Sequence, residues 1–187
     1  MTRIIAGTAG GRRLETPRTG ELTRPTSDRV REALFSSVET WCGSWSGLRV
    51  LDLYAGTGAV GLEALSRGAA SLTLVEQDRA TAALISRNAK TLGFDATVIT
   101  ANVTTTLGVA PSEPFDLVFL DPPYPMSDAE VEETLAALVA NDWLAPDALI
   151  VVERSARSGV PTWPEGIEAG REKRYGETVL GYGHTSP

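Results

Sequence analysis

From Leu48 to Glu153 the chain alternates two kinds of hydrophobic pattern. Continuous apolar runs of strand length occur at LRVLDLY (48–54), SLTLVE (71–76), ATVIT (96–100), FDLVFLD (115–121) and ALIVVE (148–153). Between them lie segments with helical spacing: GAVGLEALSRG, closed by Gly68; Asp78 to Leu92, with Ala82, Ile85, Ala89 and Leu92 on one face; and Asp128 to about Asn141. A strand that is apolar at successive positions is buried on both faces. This repetition therefore predicts an α/β fold, a mostly parallel sheet with helices on both sides. The last segment, IEAGREKRYGETVLGYG (167–183), reads as two strands around Gly176 that add to the sheet edge in antiparallel fashion.

The start of the chain has a different pattern. RIIAGTAGGRRLETP (3–17) alternates loosely around three glycines and predicts an N-terminal β-hairpin with arginines at its tip and on its return strand. A polar loop, PRTGELTRPT (17–26), follows it. Ser27 or Asp28 can cap a helix whose stripe is Val30, Leu34, Val38 and Trp41, with Ala33 beside it. We read residues 1–45 as a hairpin-and-helix extension belonging to the same domain as the core, residues 46–187.

Composition narrows the class. With 187 residues and 42% apolar content the chain can bury one good core. No apolar run approaches the roughly 20 residues of a membrane helix, and MTRIIAGTAGGRR has no apolar signal core, so a cytoplasmic location is expected with no membrane partner. One cysteine, Cys42, and one histidine, His184, leave no metal-ligating cluster, and no metal is expected. Cys42 reads as a small apolar residue at a helix end rather than a nucleophile.

The net charge of −7 hides an asymmetry. Residues 1–31 hold seven arginines against Glu15, Glu21 and Asp28, giving 7 − 3 = +4, whereas the rest carries 17 − 7 = 10 bases and 24 − 3 = 21 acids, giving −11. A polyanion is therefore expected to meet the N-terminal segment, through Arg3, Arg12, Arg13, Arg18 and Arg24.

Two motifs carry the chemistry. After the first core strand, DLYAGTGAVG places Gly56, Gly58 and Gly61 in G-x-G-x-x-G spacing, and Glu76 stands 76 − 56 = 20 positions beyond the first glycine. That spacing also fits a nicotinamide dinucleotide site, in which the glycines admit a ligand and the acid binds ribose hydroxyls. Asp52 favours S-adenosylmethionine instead: a carboxylate there attracts an α-ammonium group and sits badly beside a pyrophosphate. In addition, no residue later in the chain supplies a hydride-transfer group. In this reading Gly56 and Gly58 admit the methionine portion, whose ammonium Asp52 attracts, Glu76 accepts from the ribose, Asn102 reaches the adenine amine, and Tyr54 is a further cofactor-binding residue.

The second motif ends strand FDLVFL with Asp121, Pro122, Pro123, Tyr124 and Pro125. The prolines freeze the backbone beyond the strand. An exocyclic base amine is a poor nucleophile because its lone pair is delocalised. Asp121 and the Pro122 carbonyl, both accepting from that amine, localise the lone pair for in-line displacement, and Tyr124 offers a face for stacking.

Taken together, RPTSDRVREALFSSV, LDLYAGTGAVGLEALSRGA, LVEQD, FDLVFLDPPYP and REKRYGETVLGYG resemble class I methyltransferases with a D-P-P-Y motif, and more narrowly the RsmD-type guanine-N2 methyltransferases of small-subunit ribosomal RNA. The resemblance implies a Rossmann-like, seven-stranded sheet with an antiparallel last strand and S-adenosylmethionine as cofactor. It also implies a guanine N2 in 16S-type ribosomal RNA, free or in the assembled small subunit, as acceptor; a monomer is expected. An N6-adenine or N4-cytosine DNA methyltransferase shares the D-P-P-Y chemistry, but no insertion here is long enough for a target-recognition domain. A non-catalytic ribosome-assembly factor that retains the fold is the other alternative.

Overall fold

The computed structural model describes residues 2–18 and 27–187. Twelve elements follow one another: α1 (Asp28–Cys42), β1 (Arg49–Leu53), α2 (Ala59–Ser66), β2 (Ser71–Glu76), α3 (Arg79–Leu92), β3 (Thr97–Thr100), α4 (Val103–Leu107), β4 (Phe115–Leu120), α5 (Asp128–Ala140), β5 (Leu144–Ser155), β6 (Glu168–Tyr175) and β7 (Thr178–His184). The seven strands form one sheet in the order β3-β2-β1-β4-β5-β7-β6. Strands β1 to β5 run parallel, and β7 is antiparallel to both of its neighbours.

Alternation along the strands sorts the core into two layers. Val50, Leu117, Phe119, Leu149 and Val151 meet Leu34, Phe35 and Val38 of α1 together with residues of α2 and α3. Leu51, Leu53, Val118, Leu120, Ile150 and Val152 meet α4 and α5 on the opposite face. Because successive strand side chains point to opposite faces, continuous apolar runs are what a sheet covered on both sides requires. Capping sets the helix starts: Ser27 Oγ accepts from Val30 N, Asp78 from Thr81 N, and Ser127 and Glu130 form a reciprocal capping box on α5.

The final two strands add to the sheet edge in antiparallel fashion as expected, with β7 between β5 and the highly charged, outermost β6. Charges on an outer strand discourage further strand addition. His184 ends β7 opposite Leu149. Trp41 is 46% exposed, outside the buried stripe of α1, and its ring sits 4.9 Å from that of His184. Helix α4 had no counterpart in the sequence pattern.

Where a hairpin was expected, residues 2–14 form a loop closed by a single antiparallel bridge, Arg3 to Arg13, with Ile4 N–H donating to Arg12 O and Leu14 N–H to Thr2 O. Ile4, Ala9 and Leu14 are buried in the α1–α3 layer. The loop docks on α2 mainly through polar groups. Glu63, wholly buried, accepts from Ile5 N (2.7 Å), Ala6 N (3.0 Å) and Arg67 Nε (3.0 Å). Ser66 Oγ donates to Ala6 O and accepts from Ala9 N. At Gly7 a Cβ would lie 1.9 Å from Ser66 O, so only glycine permits this approach. Arg31, 1% exposed, donates to Arg3 O and Asp28 and stands 3.8 Å from Glu63.

Replacing Glu63 by Ala strips Arg67 Nε and two backbone N–H groups of their acceptor and leaves the buried Arg31 guanidinium without the carboxylate that stands 3.8 Å from it. The expected cost is about 3–5 kcal/mol, the scale of breaking a buried ion pair, and it is read from the urea unfolding midpoint. A loss below about 1 kcal/mol would show that the loop does not depend on this carboxylate.

Candidate active site

Strand order reverses at β1: the chain steps outward through β2 and β3 on one side and through β4 and β5 on the other. In open α/β sheets the crevice at the carboxyl ends of such strands is where ligands bind. Both sequence motifs fall there. The pairs Asp52↔Phe119 and Leu53↔Leu120 place the glycine turn directly beside the Asp-Pro-Pro-Tyr loop.

The turn is built from β1 and β2 together. Ala55 N–H donates to Val75 O, Gly56 N–H to Glu76 Oε2 (2.9 Å), and Gly58 N–H to Ala55 O. Glu76 Oε1 accepts from Asp78 N (3.0 Å), so each oxygen holds one backbone donor. A carboxylate has about four acceptor sites, and this one keeps capacity for two ribose hydroxyls. Gly56 has φ 56°, and a Cβ there would meet no atom within 4 Å, so the turn faces open space. Gly58 begins α2 and sits against Ile85. Tyr54 adopts φ 58°, which costs a non-glycine residue about 1–2 kcal/mol, and its hydroxyl is anchored 3.0 Å from Thr134 Oγ1. These features fit S-adenosylmethionine.

Asp52 lies beneath the turn, 4% exposed, with Oδ2 accepting from Gly61 N at 3.0 Å. Burial pushes its carboxyl up to about 8, the Gly61 hydrogen bond opposes the shift, and the Glu76 charge adds to it. A cationic ammonium nearby would reverse that balance. Asn102, assigned to the adenine amine, is exposed and caps α4, its Oδ1 accepting from Thr105 N at 2.7 Å. It lies two residues beyond Thr100, the partner of Glu76, so it stands at the correct end of the sheet with its carbonyl already engaged.

On the other side of β1, Asp121, Pro122 and Tyr124 border a cleft of about 290 Å³. Tyr124 is 67% exposed. Pro123 O accepts from Met126 N, tightening the loop into a turn. A residue that sequence reasoning missed holds the loop's exit: Arg154 of β5, its side chain 5% exposed, donates from Nη2 to Met126 O (3.1 Å) and Asp128 Oδ1 (2.8 Å). Also missed were Glu153, Tyr175 and Glu177, which line the same cleft. Charge at the end of a continuous apolar strand, ALIVVER, was the available signal.

The N-terminal arginines are only partly at liberty. Arg12 Nη2 donates to Thr91 O and Arg3 lies 3.8 Å from Asp28, while Arg13 and Arg18 are exposed; Arg24 is outside the described residues. Asn88, buried, accepts from Glu15 N and donates to Glu15 O and Thr57 O, tying this segment to the glycine turn. Cys42 is half-buried and its thiol is pushed up to about 11, chiefly by burial, as suits a packing residue. Among the described residues no cluster of metal-ligating side chains occurs, and no helix is long and apolar enough to cross a membrane.

Sheet order, glycine turn and Asp-Pro-Pro-Tyr loop define a class I, S-adenosylmethionine-dependent methyltransferase. The chain belongs to the family described as "Conserved hypothetical protein 95", whose model matches residues 2–183. It is 42% identical over 183 residues to "Ribosomal RNA small subunit methyltransferase D" of Escherichia coli K12, covering 95% of this chain and 86% of that protein. The protein of the same name from Haemophilus influenzae is 38% identical over 178 residues, covering 93% and 89%. Among solved structures, yhhF of Escherichia coli superposes with a TM-score of 0.86 at 37% identity, covering 100% of this chain and 98% of that one.

The raised carboxyl of Asp52 has a measurable consequence. Its folded value, about 8, lies above the ordinary 3.8, so the unfolded chain ionises first. Its contribution to stability is therefore full below about pH 4 and is lost as pH rises toward 8. Asp52→Asn keeps an acceptor for Gly61 N–H and removes the ionisation. It should stabilise the free protein by on the order of a few kcal/mol at pH 8 and hardly at all at pH 4, measured by urea unfolding across pH. A gain that does not vary with pH would mean that Asp52 does not titrate in this range.

Proposed function

We propose that this protein methylates the exocyclic N2 amine of a guanine in small-subunit ribosomal RNA. The observation that carries the reading is the placement of the Asp-Pro-Pro-Tyr loop one strand away from the glycine turn, at the carboxyl ends of β4 and β1. The names of the curated relatives supply the RNA class.

Asp52, Tyr54, Gly56, Gly58 and Glu76 hold the cofactor over β1 and β2, with Asn102 at the adenine end. S-adenosylmethionine supplies an electrophilic sulfonium methyl. Asp121 and the Pro122 carbonyl accept hydrogen bonds from the two N2–H groups and turn the nitrogen lone pair toward the donor methyl, while Tyr124 stacks on the base. Transfer of that methyl to N2 would leave a surplus proton on the nitrogen, and Asp121 would take it. Arg3, Arg12, Arg13, Arg18 and Arg24 contact phosphates from the N-terminal segment, whose single-bridge loop serves as the RNA-facing hairpin. The enzyme acts as a monomer.

Two experiments test this. Asp121→Ala should leave cofactor affinity within about twofold while methyl transfer to unmodified small subunits falls about 100-fold or more; turnover near the wild-type rate would remove Asp121 from the chemistry. Replacing Arg12 and Arg13 together by Ala should weaken RNA binding and reduce the slope of log K against log salt by roughly 1.5, the share of two phosphate contacts. An unchanged slope would place the RNA elsewhere.

A further inference from the structure

The cleft beside the Asp-Pro-Pro-Tyr loop has a second wall that the proposed chemistry does not use. Strands β4 and β5 are parallel and in register, with Phe119↔Val151 and Leu120↔Val152 as their last pairs. Phe119 and Val151 face the α1 layer, whereas Leu120 and Val152 face the α5 layer. Carrying the alternation one residue further returns Asp121 and Glu153 to the α1 side as neighbours on adjacent strands, which lie about 4.8 Å apart. Both line the cleft, and Val30 of α1 lines it from the same side. Tyr124 and Tyr175 supply aromatic surface to it.

We infer that Glu153 is a specificity-determining residue, its carboxylate accepting the N1–H of the guanine whose N2 amine is held by Asp121. The inference rests on the proposed function and extends it to how the base is chosen. On the Watson–Crick edge of guanine, N1–H and the N2 amine are adjacent donors, so two carboxylates side by side match them. Adenine presents an acceptor at N1, and a carboxylate facing it is repelled. Enzymes that act on an extruded base read this edge by hydrogen bonds while aromatic side chains stack on its faces. Strand order supports the division: the cofactor side of the crevice lies over β1 and β2, and the base side over β4 and β5. Asp121 and Glu153 each interact with protein groups in the free enzyme, contacts that an entering base displaces or shares.

The test pairs a change in the enzyme with a change in the base. The guanosine methylated by the wild-type protein is mapped in unmodified small subunits, and subunits are then reconstituted with 2-aminopurine at that position. 2-Aminopurine keeps the 2-amino group and lacks the N1 proton and O6. Glu153→Ala should lower kcat/KM on guanine about 100-fold, the scale of a lost hydrogen bond to a charged group, and leave kcat/KM on 2-aminopurine undiminished or raised, because the repulsion between the carboxylate and its N1 acceptor is relieved. Thermal stability and cofactor affinity should stay near wild type. Should the alanine variant unfold, Glu153→Gln carries the same cycle, with about a tenfold loss on guanine and no loss, or a gain, on 2-aminopurine, whose N1 the amide can donate to. Equal losses on both bases would overturn the inference alone, since a merely structural role cannot distinguish them. Absence of N2-methylguanosine from the wild-type reaction would overturn the proposed function and this inference with it.

Discussion

The parallel pairing of β1 with β4 is the constraint from which the site follows. These strands are distant in sequence, yet the pair Leu53↔Leu120 puts their carboxyl ends level, so that the glycine turn and the Asp-Pro-Pro-Tyr loop emerge side by side. A slip of one residue would turn every side chain of β4 to the opposite face and carry Asp121 away from the crevice. Burial on both faces prevents that slip. Val118 and Leu120 are matched to the α4–α5 layer and Leu117 and Phe119 to the α1–α3 layer. Packing energy spread over the whole core thus holds a geometry on which a single transfer depends.

Two buried carboxylates show how differently such groups can be used. Glu63 has two backbone N–H donors and a guanidinium within hydrogen-bonding distance, with a second guanidinium 3.8 Å away, and it fastens the N-terminal loop to α2. Asp52 accepts from Gly61 N and has a neighbouring carboxylate, Glu76, that disfavours its charge. The first is satisfied by the fold alone. The second is electrostatically incomplete, which is the state expected of a group that awaits a cationic ligand.

Much of this was legible in the chain itself. The five core strands and the helices α1, α2, α3 and α5 announced themselves because apolar periodicity reports burial directly, and both motifs fell at strand ends as their spacing required. What escaped has physical reasons. Helix α4, VTTTL, is too short and too rich in β-branched residues to show a period. The order within the final hairpin was not drawn from the sequence, although its members differ: TVLGYG is apolar and pairs with β5, whereas EAGREKRY is charged and stays outermost. Asn102 illustrates a chemical ambiguity: the carbonyl that would accept from adenine is the same group that caps a helix, and sequence cannot say which donor reaches it first. Arg154 and Glu153 were overlooked because charges closing an apolar run read as the end of a strand. Here that end is the wall of the cleft.

The N-terminal segment completes the division of labour by the way it is attached. Its anchoring runs largely through backbone N–H groups, to Glu63, Ser66 and Asn88, and through the buried side chains of Ile4, Ala9 and Leu14. A segment bound by its backbone and apolar side chains can present its charged ones outward. Arg13 and Arg18 do so, while Arg31, wholly withdrawn, belongs to the buried network instead. The rest of the chain carries −11, which repels a polyanion over most of the surface and leaves the basic segment as the favourable approach. Glu15 is tied through Asn88 to Thr57 in the glycine turn, so the basic segment is held beside the crevice, the arrangement that the proposed RNA contact requires.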